Sequence, residues 1–124
     1  MRNVSFTEEQ IVRFLDQATA SQLDEFDFGV VKLQVDGIVA SYNKYESDLA
    51  TFSKENVIGK NFFTQIAPCT NNFMVAAKYM EYLEPRDEYL DYVFTYKIEP
   101  TRVKLRLLTH PYRTYQYLLV KKYD

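Results

Sequence analysis

Cysteine occurs once in these 124 residues, at position 69. A lone thiol closes no internal disulfide, so cross-links do not hold this fold. With one histidine and one cysteine, the chain falls short of the donor set of a structural zinc site. Glycine occurs three times, at 29, 37 and 59, and that spacing builds no phosphate-cradling loop. Tryptophan is absent. No run of about 18 apolar residues exists, so no membrane-spanning helix is expected. The first residues are polar and charged, without the apolar segment of a secretory signal. The single thiol and the missing signal together predict a cytoplasmic location. A net charge of −2 argues against nucleic acid as the main partner.

What is present is ordinary in bulk and unusual in one respect. Hydrophobic residues make up 47% and charged residues 26%, as in a soluble globular chain. The length predicts one domain, burying roughly two thirds of its unfolded surface. Eleven Tyr and nine Phe stand out. They suit an aromatic core or a pocket for a flat aromatic ligand, and composition does not separate the two.

Taken in order, Thr7-Glu8-Glu9-Gln10 reads as a capping box opening a helix over residues 8–19, with a short turn over 21–25. Val31, Leu33 and Val35 alternate with Lys32 and Gln34, a strand over 28–35. Asp36-Gly37 is a hairpin signal, and 38–42 returns as a second strand. Residues 43–52 predict short helical turns, which would put Tyr42 and Glu46 on one face. Ser53 can cap a further short helix ending before Gly59. Asn72 is placed to cap a longer helix over 73–84, with Met74, Ala77, Met80 and Leu83 spaced for packing.

Leu90, Tyr92, Phe94, Tyr96 and Ile98 then alternate with Asp91, Val93, Thr95, Lys97 and Glu99 in a long strand. Val103, Leu105 and Leu107 alternate with Arg102, Lys104 and Arg106, and 115–122 forms the last strand. Two strands, a helical insert and a three-stranded meander predict an α+β domain with a five-stranded antiparallel sheet.

Cys69 follows Pro68, which fixes its own φ and favours an irregular segment there. The thiol can be a small buried hydrophobe, an attachment point or a nucleophile. As a nucleophile it would need His110 as base, yet nothing in Thr109-His110-Pro111 orients that imidazole. No catalytic residue and no enzyme activity are therefore expected.

Ile58-Gly59-Lys60-Asn61-Phe62-Phe63 followed by Ala67-Pro68-Cys69-Thr70 resembles the photoactive yellow protein (xanthopsin) family of the PAS superfamily. Asp27-Phe28-Gly29, Tyr42-Asn43 with Glu46, Tyr92-Val93-Phe94 and Pro100-Thr101-Arg102-Val103-Lys104 fit at matching spacing, after a two-residue shortening between Thr70 and Leu90. The resemblance implies a PAS fold in which residues 1–26 form an N-terminal cap and 27–124 the core. It implies a blue-light photoreceptor whose Cys69 carries p-coumaric (4-hydroxycinnamic) acid as a thioester. Tyr42 and a protonated Glu46 would hold the phenolate. Trans-to-cis isomerisation would be followed by proton transfer from Glu46 and loosening of the cap. Val31, Phe62, Ile66, Ala67, Pro68, Thr70, Phe94 and Tyr96 fall at or near the family pocket.

Three pocket positions depart from the family. Ala50 stands where a threonine commonly supports the tyrosine, Phe52 where an arginine lies over the phenolate, and Ile98 where a methionine assists recovery. A downstream signalling protein is the partner implied, with no nucleic acid, no membrane and no metal, and with the chain a monomer or weak dimer. The alternative is a PAS-type ligand-binding or protein-interaction domain without photoactivity.

Overall fold

The computed structural model describes residues 4–95 and 99–123. Five strands form one antiparallel sheet in the order β2-β1-β5-β4-β3: β1 Gly29–Gln34, β2 Val39–Tyr42, β3 Arg86–Phe94, β4 Thr101–Thr109 and β5 Tyr115–Lys122. Helices α1 Ile11–Gln17 and α2 Ala20–Leu23 precede the sheet. Helix α3 Lys44–Ala50, a 3₁₀ turn Lys54–Asn56, a π turn Phe62–Ile66, a 3₁₀ turn Pro68–Thr70 and helix α4 Ala76–Met80 fill the stretch between β2 and β3. This is the expected α+β PAS arrangement.

Both faces of the sheet are covered. Val31, Leu33, Val103, Leu105, Leu107, Leu118 and Val120 face the helical insert. Val30, Leu108, Tyr117 and Leu119 face the N-terminal segment, where Phe6, Ile11, Leu15 and Leu23 meet them. Two-sided burial explains the unbroken apolar run of Tyr117 to Val120, which alternation alone does not anticipate.

Several elements differ from expectation. The capping box forms at Thr19 and Gln22, while the N-cap of α1 is Gln10 with no side-chain cap. Glu8 is spent on the backbone N–H of Gln10 at 2.9 Å. Ser53 stands at its N-cap position without a side-chain bond. Asn72 accepts from Met74 N and Val75 N in the turn before α4 and does not cap the helix, whose N-cap is Val75 without a side-chain bond; α4 is short and the packed residues here are Val75, Ala76 and Tyr79. Met74 and Met80 are exposed, because the buried stripe runs one residue out of the predicted frame. Val35 is exposed beyond the end of β1. Strand β3 starts earlier than predicted and is described as far as Phe94; Tyr96 and Ile98, expected in the same strand, lie outside the described residues.

Arg106 is the clearest reversal, predicted outward and found 2% exposed. Its guanidinium forks onto Asp87 at 2.8 and 2.7 Å and donates to the carbonyls of Phe6 and Glu8, both at 2.8 Å. A strand cation thus fastens the segment around Phe6 and Glu8 to the sheet.

Candidate functional site

The Gly59 motif is architectural. Gly59 adopts φ +90°, a left-handed conformation that suits glycine. The chain then docks on β2, with Val39 N–H donating to Lys60 and Phe62 N–H to Gly37. Asn61 caps the next turn, accepting from Phe63 at 2.9 Å and Thr64 at 3.1 Å. Phe62, Phe63, Ile66 and Ala67 are thereby driven into the core.

Cys69 emerges from that packing on a single 3₁₀ turn, half-buried. Its side chain packs on the core cluster that contains Val31, Tyr42, Phe62, Ile66, Ala67 and Phe94. Thr70 is buried and donates its hydroxyl hydrogen to the Ala67 carbonyl at 2.7 Å. A cleft of about 330 Å³ opens here, lined by Phe52, Gln65, Ile66, Pro68, Cys69 and Thr95. Pro68 is exposed on its rim, and Ala50 is buried at the end of α3.

Tyr42 and Glu46 are both buried, at 2% and 0% exposure. They do not share a helix face as predicted, because Tyr42 ends β2 and α3 begins at Lys44. Strand β1 brings them together instead. Tyr42 pairs with Val31, while the Glu46 carboxyl lies on Gly29. Gly29 and Val31 are alternate residues of one strand, so they present the same face about 7 Å apart.

Two residues at this corner carry roles that the sequence reading missed. A β-carbon on Gly29 would stand 2.5 Å from Glu46 Oε1. An isolated glycine inside a strand signals such close approach. Asn43 sits between β2 and α3, where its Oδ1 accepts from Val30 N at 2.9 Å and Glu46 N at 3.2 Å. Its Nδ2 donates to the carbonyls of Leu23 at 2.8 Å and Phe28 at 2.9 Å. One amide therefore joins the glutamate helix, β1 and the N-terminal segment. Its place just before α3 was the readable signal.

Cys69 and His110 are not brought together. The Cys69 carbonyl meets Tyr92, which pairs with Val103. His110 follows the last residue of β4, seven residues on from Val103, about 24 Å at the rise of a strand. Its Nδ1 accepts from Tyr112 N–H. A nucleophile–base pair is out of reach. Among the described residues no group of acidic, Cys or His side chains could hold a metal, and no helix is long and apolar enough to cross a membrane.

Comparison with known proteins bears on this arrangement. No family model matches the chain. A photoactive yellow protein of Rhodothalassium salexigens is 33% identical over 109 residues, covering 86% of this chain and 87% of that one. The chain belongs to the photoactive yellow protein family. The photoactive yellow protein of Halochromatium salexigens is 31% identical over the same coverage. Among solved structures, the photoactive yellow protein domain of the sensor histidine kinase Ppr from Rhodospirillum centenum superposes with TM-score 0.79 at 29% identity, covering 89% of this chain and 98% of that one. A PAS domain of an HTR-like protein from Haloarcula marismortui superposes with TM-score 0.62 at 12% identity, covering 94% and 98%, a likeness of fold.

Proposed function

We propose that the chain is a blue-light photoreceptor domain in which Cys69 carries p-coumaric acid as a thioester. The observation that carries this reading is the placement of Cys69 in a member of this family. Its lone thiol stands half-exposed at a cleft while packing on the core that contains Tyr42. The donor set fits the group: a thiol for the acyl end, and a phenol and a buried carboxyl for the phenolic end. Aromatic Phe62 and Phe94 belong to the same apolar lining.

Loading is an acyl transfer. The Cys69 sulfur forms the bond to the carbonyl carbon of an activated p-coumarate, the activating group departs with its electron pair, and the thiol proton is lost to solvent. Bound there, the group supplies blue-light absorption and trans-to-cis isomerisation about its double bond.

The chain's residues do the rest. Tyr42 donates its hydroxyl hydrogen toward the phenolic end. Glu46, with 0% exposure, is held in its neutral form by burial. Release of its proton leaves a carboxylate in a dry site, at a cost of about several kcal/mol. That is comparable with the stability of a small domain, roughly 5–15 kcal/mol. Asn43 bonds both Glu46 N and the Leu23 carbonyl, so a shift of α3 pulls on the N-terminal segment. The segment loosens as the output, and a downstream signalling protein reads it.

Reconstitution of the purified protein with activated p-coumarate tests the reading. The expected product is yellow, heavier by one acyl group, and reversibly bleached by blue light. Cys69→Ala should stay colourless and unlabelled. A wild type that takes up no acyl group assigns the chain to the light-insensitive PAS alternative.

A further inference from the structure

The peptide carbonyl of Cys69 accepts two side-chain hydrogen bonds. The Tyr92 hydroxyl donates to it at 2.5 Å and Asn72 Nδ2 at 3.2 Å. Asn72 Nδ2 also donates to the Tyr92 hydroxyl oxygen at 2.6 Å. The three groups close a ring in which the amide polarises the hydroxyl and the hydroxyl polarises the carbonyl.

Each donor is itself held. Asn72 Oδ1 accepts from Met74 N at 3.0 Å and Val75 N at 3.1 Å. Tyr92 belongs to β3 and packs edge-on against Phe94 at 6.0 Å. On the other flank of the thiol, the Ala67 carbonyl accepts from Thr70 N at 2.8 Å and from the Thr70 hydroxyl at 2.7 Å. Pro68 has a fixed φ. The turn is thus pinned on both sides of the sulfur, once within itself and once by the ring.

We propose that Tyr92 and Asn72 are positioning residues for Cys69, their ring holding the thiol-bearing turn so that a group attached at Sγ keeps one orientation toward Tyr42 and Glu46. The inference rests on the photoreceptor reading for the attached group, while the pinning of the turn stands apart from it. A stiff sulfur end passes movement of an attached group to the far end, where Glu46 waits. A loose sulfur end absorbs that movement.

Two substitutions separate the ring from the fold. Tyr92→Phe removes the hydroxyl and keeps the ring against Phe94. Asn72→Asp keeps an oxygen for Met74 and Val75 and removes the amide donor. Because Cys69 is the only cysteine, ¹³C labelling of cysteine carbonyls marks this one group. In unloaded protein, both variants should move its infrared band to higher wavenumber. Alkylation of Cys69 by iodoacetamide should quicken by about two- to tenfold, the factor that one ordinary hydrogen bond is worth. In protein loaded with p-coumarate, the yield of bleaching per absorbed photon should fall by a similar factor.

An unchanged carbonyl band and alkylation rate in a folded variant overturn the proposal. So does a wild-type band at the position of a carbonyl with a single weak bond, a measurement that needs no variant. A wild type that refuses p-coumarate sinks the photoreceptor reading instead, and the unloaded measurements still decide the role of the ring.

Discussion

The Glu46 carboxyl occupies the space that a side chain on Gly29 would claim, with Oε1 2.5 Å from the position of a β-carbon. A carboxyl with 0% exposure rests directly on a strand backbone, and the absence of one methyl group makes room for it. Gly29→Ala should therefore displace Glu46, at a cost of about 1–3 kcal/mol from overpacking. In loaded protein it should also shift the absorption maximum. Urea unfolding of the unloaded protein and the spectrum of the loaded one check both outcomes. Gly59→Ala is the control, since nothing lies within 4 Å of its added carbon and only the strain of φ +90° is felt. Equal spectra for Gly29→Ala and wild type would remove Gly29 from the site.

Asn43→Asp divides the functions of one amide. The carboxylate keeps the acceptor for Val30 N and Glu46 N and loses the donors to Leu23 and Phe28. Helix α3 should persist while the N-terminal segment gains motion. Hydrogen exchange should quicken by about tenfold or more in α1 and α2, with lesser change in α3. Uniform acceleration through the whole chain would mean that the residue serves general stability.

Arg106→Ala should free the segment around Phe6 and Glu8. It removes donors from the Phe6 and Glu8 carbonyls and leaves Asp87 without its fork. Asp87 is 47% exposed and stays hydrated without the fork, so the cost is that of lost hydrogen bonds from a charged donor, about 1.5–3 kcal/mol. Limited proteolysis should cut within residues 4–18 before the sheet is attacked. Cleavage at the wild-type rate would show that the apolar contacts of Phe6 and Ile11 suffice.

Alkaline pH should unfold the protein through two buried phenols. Desolvation raises Tyr79 and Tyr117 above the ordinary value of 10.0. The unfolded chain ionises them near 10.0, so above that pH the folded state holds more protons and stability falls as pH rises. Tyr79 alone contributes a slope of about 1.4 kcal/mol per pH unit in that window, and Tyr117 acts in the same direction. Stability measured by denaturant from about pH 9 to about pH 11 tests the slope. Tyr79→Phe should reduce it, and an unchanged slope would assign alkaline loss to other groups.

The element order was readable because strands with one polar face announce their period, as Val103, Leu105 and Leu107 do. Positions buried from both sides were less so. Arg106 alternates like a surface residue, and only a docked N-terminal segment makes its outward face an interior. The stripe of α4 slipped by one because Val75 and Tyr79 anchor it, and Tyr79 donates to the Tyr117 carbonyl 38 residues away in sequence. Cys69, Tyr42 and Glu46 were nameable together only through the family resemblance. The contacts that place them, Gly29 under the carboxyl and Tyr92 on the Cys69 carbonyl, depend on which strand faces which turn. That information is tertiary.

Strand β3 lies at one end of the sheet, and among the described residues no further strand pairs with its outer side. An open edge of nine residues is an invitation to aggregate by strand addition. Here four of the nine, Arg86, Asp87, Glu88 and Asp91, are charged, and three of those are acidic. A second copy approaching edge to edge meets its own charge pattern and loses hydration at each carboxylate. The same strand that presents Tyr92 to the Cys69 carbonyl thus carries its own guard against pairing with a second copy.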